Sequence, residues 1–104
     1  MTILAVLTTI DDEDRARDIA GALISKNLAA CVQISSIESL YQWEGDIQND
    51  REYRLLIKTI PARYADVEGE IRRLHTYDLP AIVAFEAVEV FDEFADWVAR
   101  HSAG

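Results

Sequence analysis

Any chemistry on this chain rests on a short roster of side chains. Histidine occurs twice, at His75 and His101, and the only thiol is Cys31. No CxxC, HxxxH or facial-triad spacing joins them, so one chain does not supply the convergent donors of a closed metal site. His75 becomes a metal ligand only if symmetry converges copies of it. The other route is a neighbouring subunit that brings an acid or Cys31; failing both, it is a loop anchor. No resident cofactor is called for. There is no nucleophile elbow, no phosphate-cradling glycine loop and no Ser/His/Asp set. The first βα connection, Thr8-Thr9-Ile10-Asp11-Asp12-Glu13, is acidic, lacks glycine and would repel a phosphate. These residues point to a binding protein rather than an enzyme.

The elements that must position such residues follow from periodicity. Thr2 to Thr9 is apolar and β-branched without alternation, as in a strand buried on both faces. Asp11 and Asp12 offer N-cap oxygens for a helix whose stripe is Ala16, Ile19, Ala20, Leu23 and Ile24, ending near Lys26-Asn27. Leu28 to Ile34 reads as a second strand. Ser35 to Asp50, with Tyr41, Trp43 and a Glu44-Gly45-Asp46 turn, reads as a hairpin arm leading to a third strand over Glu52 to Ile60. Pro61 suits the first turn of a second helix carrying Tyr64, Val67, Ile71 and Leu74. His75 to Pro80 is a loop, Ala81 to Val90 a fourth strand, and Asp92 caps a last helix with Phe94, Trp97 and Val98. The expectation is a single α+β domain over residues 1–104: a ferredoxin-like βαββαβ antiparallel sheet, both long helices on one face, plus a C-terminal helix.

That sheet is apolar on both faces, whereas two helices cover one. Ile3, Ala5 and Leu7 oppose Leu4 and Val6, and Val83, Phe85 and Ala87 oppose Ile82, Ala84 and Val88. An open apolar face of this size calls for a second copy, and a cyclic homotrimer is favoured. The alternative is a monomer in which the terminal helix folds under the sheet. On the same second face, alternation gathers Cys31, Gln33, Glu52, Arg54 and Lys58. They form either an interfacial salt-bridge network or a site for a small anionic ligand anchored by Lys58.

Composition narrows the partners. Ten basic against 19 acidic side chains give a net charge of −9, which excludes nucleic acid and disfavours an anionic membrane, while attracting cations. No apolar run approaches the ~20 residues of a membrane span, and the N-terminus lacks a basic region and cleavage site. With one unpaired thiol, a cytoplasmic location is expected.

Together, several segments resemble the CutA divalent-cation-tolerance family, relatives of the PII signalling proteins. They are Leu28-Ala29-Ala30-Cys31-Val32, Ser39-Leu40-Tyr41-Gln42-Trp43-Glu44-Gly45, Glu52 with Lys58-Thr59, the loop His75-Thr76-Tyr77-Asp78-Leu79-Pro80, and Trp97. The resemblance implies a tight trimer with strand pairing between subunits and a role in tolerance of copper and other divalent cations. It also implies that Cys31, Tyr41, Trp43, Glu52, Lys58, His75 and Tyr77 line a cleft between subunits. Some members of that family carry a cysteine and a second histidine where this chain has Thr8 and Leu74. The alternative it allows is a PII-like signalling or scaffolding trimer that binds a small anion and no metal.

Overall fold

The computed structural model describes residues 1–104. The chain runs through β1 (Leu4–Ile10), α1 (Glu13–Ser25), β2 (Cys31–Trp43), β3 (Asp46–Thr59), a 3-10 turn (Pro61–Arg63), α2 (Tyr64–Leu74), β4 (Ile82–Glu86) and α3 (Asp92–His101). The strands form one antiparallel sheet in the order β2-β3-β1-β4, so each helical crossover skips one strand, as the split-βαβ pattern requires.

Local chemistry sets the boundaries. The Asp12 carboxylate accepts the Arg15 backbone N–H at 3.1 Å, and Glu13 and Asp14 place negative charge at the start of α1. The helix ends where Asn27 takes a φ of 55°, a left-handed conformation asparagine tolerates. Glu44 and Gly45 both have positive φ, the signature of the two-residue turn that closes a twisted hairpin.

The core lies between the sheet's inner face and the two long helices. Val6, Ile10, Leu55 and Ile57 pack on Ile19 and Leu23 of α1 and on Val67 and Ile71 of α2. Across the helix pair, Glu70 accepts from Lys26 Nζ at 2.9 Å and from Arg73, which clasps α2 to the end of α1. Arg63 holds the C-terminal tail through the carbonyls of Ser102 and Ala103.

Two sequence expectations need revision. Ser35 to Asp50 is not a separate arm between two short strands. The β2–β3 ladder is continuous from Cys31↔Lys58 to Trp43↔Asp46, and it stretches the molecule to 46 × 26 × 21 Å. The radius of gyration, 14.3 Å, exceeds the ~13 Å of a compact chain of this length because the ladder runs past the helices. The fourth strand stops at Glu86 instead of Val90. Its partner β1 begins at Leu4, opposite Glu86, and beyond that only the Ala87 N–H to Ile3 carbonyl bond remains.

The terminal helix does not complete a monomer by covering the sheet. Ala95 and Val98 of α3 pack on Ile3 at the end of the sheet. On the open face Val83 and Phe85 are left 46% and 57% exposed. On the arm, Leu40 and Ile47 are 69% and 77% exposed. No helix is long and apolar enough to cross a membrane.

Candidate functional site

Register converts the open face into rows, because residues directly opposed in an antiparallel ladder share a face. Cys31, Lys58, Ala5 and Phe85 make one row; Gln33, Leu56, Leu7 and Val83 the next; then Ser35, Arg54 and Thr9. Beyond these, Glu52 lies opposite Ile37, and Tyr41 opposite Gln48. The set gathered by alternation therefore divides in two. Lys58 donates to Gln33 Oε1 at 2.6 Å beside Cys31, an uncharged partner among apolar neighbours. Glu52 sits roughly 20 Å further along β3, six residues away.

Around Glu52 the structure builds a cleft. The loop after α2 folds back over the end of β1, and His75 is its pin. The Tyr77 backbone N–H donates to His75 Nδ1 at 3.1 Å, so Nε2 carries the proton and donates to the Thr9 carbonyl at 2.7 Å. The Tyr77 ring meets the His75 ring edge-on, with centroids 4.6 Å apart. From there the Tyr77 hydroxyl reaches Glu52 Oε2 at 2.7 Å. The Tyr41 hydroxyl donates likewise to Asp50. The cleft enclosed between loop and arm has a volume of 680 Å³ and is lined by Thr9, Tyr41, Trp43, Gln48, Glu52, Tyr77, Asp78, Leu79 and Ala81.

The electrostatics are one-sided. Burial, then the hydrogen bond to Glu52 and the charges of Glu52 and Asp11, hold the Tyr77 phenol well above its ordinary range. The hydrogen bond to Asp50, followed by burial and nearby carboxylates, raises Tyr41. Both tyrosines stay protonated and act as donors.

Of the residues proposed from sequence, Tyr41, Trp43, Glu52 and Tyr77 come together in the cleft, with His75 behind it as its scaffold. Cys31, Gln33 and Lys58 lie outside, on the sheet. Thr9, Gln48, Asp78, Leu79 and Ala81 were not singled out. Gln48 had a legible signal: counting outward from the Glu44–Gly45 turn places it opposite Tyr41. Thr8 and Leu74 face the core, Thr8 fully buried and Leu74 packed against the main cluster, so neither reaches the cleft.

The donors do not fit a metal site within one chain. Nowhere do three His, Cys, Asp or Glu side chains converge, and both His75 ring nitrogens are already engaged.

The family model for the CutA1 divalent ion tolerance protein matches residues 4–101. The chain belongs to the CutA family. The divalent-cation tolerance protein CutA of Thermus thermophilus is 38% identical over 98 residues, spanning 93% of this chain and 95% of that one. The solved structure of the Thermus thermophilus protein superposes with a TM-score of 0.91 at 37% identity, covering 96% of this chain and 98% of the other. The periplasmic divalent cation tolerance protein CutA of Archaeoglobus fulgidus gives 0.92 at 33% identity, with 98% and 99% covered. Fold and family thus agree along essentially the whole CutA chain, open face and arm included.

Proposed function

We propose that this CutA chain serves divalent-cation tolerance, copper included, as a cytoplasmic homotrimeric binding protein of one domain, and not as an enzyme. The observation that carries the proposal is the match, at family level and over nearly the full length, to divalent-cation tolerance proteins. The uncovered Val83–Phe85 face and the apolar arm supply the physical reason to assemble, since a monomer would leave them in water.

Cations enter as cargo. Within one subunit Cys31 and His75 sit at opposite ends of the open face: Cys31 shares a row with Ala5, whereas His75 is bonded to Thr9, about 13 Å further along β1. A copper site using both therefore draws them from two subunits, with His75 giving up one of its two hydrogen bonds to the metal and acidic neighbours completing the set. The PII-like anion reading is not favoured, because Lys58 lies outside the cleft and is tied to Gln33.

Native mass spectrometry of metal-free protein titrated with Cu²⁺ tests this. A trimer is expected, taking up copper in fixed ratio to subunits and losing that uptake in His75→Ala and in Cys31→Ser. Unchanged uptake in both variants would overturn the two-subunit site. A monomer would overturn the assembly.

A further inference from the structure

The last stretch of the chain is held differently from the rest. Its buried seat is small: Ala95 and Val98 of α3 close on Ile3, with Ala30, Ile60, Val90 and Trp97 partly buried around them, apart from the main core. A helix of 10 residues is too short to persist in water by itself. Its first turn has no side-chain cap, since Phe91 stands at the N-cap position. The ion pairs of the chain, Arg17–Glu13, Lys26–Glu70, Arg63–Asp66 and Arg73–Glu70, all lie elsewhere. After the Ala87 N–H bond to the Ile3 carbonyl, every hydrogen bond from this stretch to the rest of the fold is made by residues 102–104.

Those residues run between Arg63 and the end of α1. Arg63 Nε donates to the Ser102 carbonyl at 3.2 Å and Nη2 to the Ala103 carbonyl at 2.9 Å, so the flat fork of the guanidinium takes two successive carbonyls. Its third nitrogen donates to Asp66 Oδ2 at 3.1 Å, which orients the fork from the first turn of α2. On the other side the Gly104 N–H donates at 2.9 Å to the carbonyl of Asn27, the left-handed residue that ends α1. Gly104 has a φ of 92°, and a Cβ there would stand 3.1 Å from Arg63 Nη2, so the chain passes directly against the guanidinium. Ser102 is fully buried although its hydroxyl finds no partner, a penalty that the neighbouring bonds offset.

We propose that residues 102–104 are a strap latched by Arg63, and that residues 88–104 open as one unit, ahead of the sheet, when the latch is released. All of these bonds lie within one chain, so the strap does not depend on how many copies assemble. Its release uncovers Ile3, which continues the Ala5 and Leu7 side of the open face and so loosens the end of the surface between subunits. That consequence alone rests on the proposed trimer.

Native-state hydrogen exchange of the assembled protein, read by mass spectrometry of its peptides, tests the strap. Arg63→Ala should speed exchange of the α3 amides at least tenfold, while β1, β3 and α1 keep their protection. Gly104→Ala, which pushes a methyl group into the guanidinium and removes no donor, should act in the same direction. Ser102→Ala, which deletes only the unpartnered hydroxyl, should leave α3 as protected as before. Equal acceleration everywhere in Arg63→Ala would show a general loss of stability and overturn the local latch. Unchanged α3 exchange in both Arg63→Ala and Gly104→Ala would mean that the seat on Ile3 or a neighbouring subunit holds the helix unaided, and would overturn the proposal. For the assembly, subunit exchange between isotope-labelled and unlabelled protein should be faster in Arg63→Ala. An unchanged rate beside faster α3 exchange would sink that consequence and leave the strap standing.

Discussion

Among single residues, Tyr77 has the most consequences, because one hydroxyl joins the loop to the sheet through Glu52. Its raised pKa means that the folded protein binds the phenolic proton more tightly than the unfolded chain does. Stability from this group is therefore complete below the unfolded value of 10.0 and is lost as pH rises above it. Tyr77→Phe should cost about 0.5–1.5 kcal/mol near neutrality. The gap between the two proteins should shrink under alkaline conditions, as measured by urea unfolding at about pH 8 and about pH 11. A gap of equal size at both would mean the bond to Glu52 does not form in solution. Sequence reasoning named Tyr77 and Glu52 as site residues without seeing that they bond each other. Residue 52 and residue 77 meet only because a loop folds across β1, and nothing local encodes that contact. His75 shows the same gap from the other side: its type suggested a ligand, and nothing local announced that its two ring nitrogens also pin the loop.

Among elements, alternation told which face a residue is on but not which row, and row decides proximity. Cys31 and Glu52 share a face, yet the ladder places them at separate stations, Cys31 against Lys58 and Glu52 against Ile37. The turn at Glu44–Gly45 sets that register, which makes it a sensitive point. Gly45 has a φ of 85°, where a side chain strains the backbone although no atom lies within 4 Å of an added Cβ. Gly69 lies in the middle of α2 with equal room around it and ordinary helical geometry. The same substitution should thus have opposite signs. Gly45→Ala destabilises by about 1 kcal/mol, and Gly69→Ala stabilises by a similar amount. Thermal melts of both variants settle this, and equal shifts in the same direction would refute it. The end of β4 was illegible for a related reason. Ala81 to Val90 is apolar except at Glu86 and Glu89, but a strand continues only while its neighbour offers partners, and β1 stops at Leu4.

For the whole molecule, the strand order and both helix stripes were readable because each follows from periodicity close in sequence. So was the unpartnered second face, since β1 and β4 do not alternate. In the proposed trimer that face is covered by another chain, which leaves no trace in intramolecular contacts. The residues still exposed there decide the matter physically. Phe85 and Val83 lie beside Ala5 and Leu7 in the two rows that also hold Lys58 and Leu56, a continuous apolar surface interrupted by one charge. If the proposed trimer buries this surface, an aspartate at position 85 places a charge in each copy's contact without touching the helix-side core. Phe85→Asp should then leave the far-ultraviolet circular dichroism unchanged and reduce the mass seen by light scattering from trimer to monomer, because a buried unpaired carboxylate costs several kcal/mol. Ile24→Asp is the control, since Ile24 is an exposed apolar residue on the solvent side of α1. Both variants should carry the same added charge, yet only the one on the sheet face should dissociate the assembly. A trimer that survives Phe85→Asp would move the subunit contact off this face and onto the arm, where Leu40 and Ile47 are more exposed still.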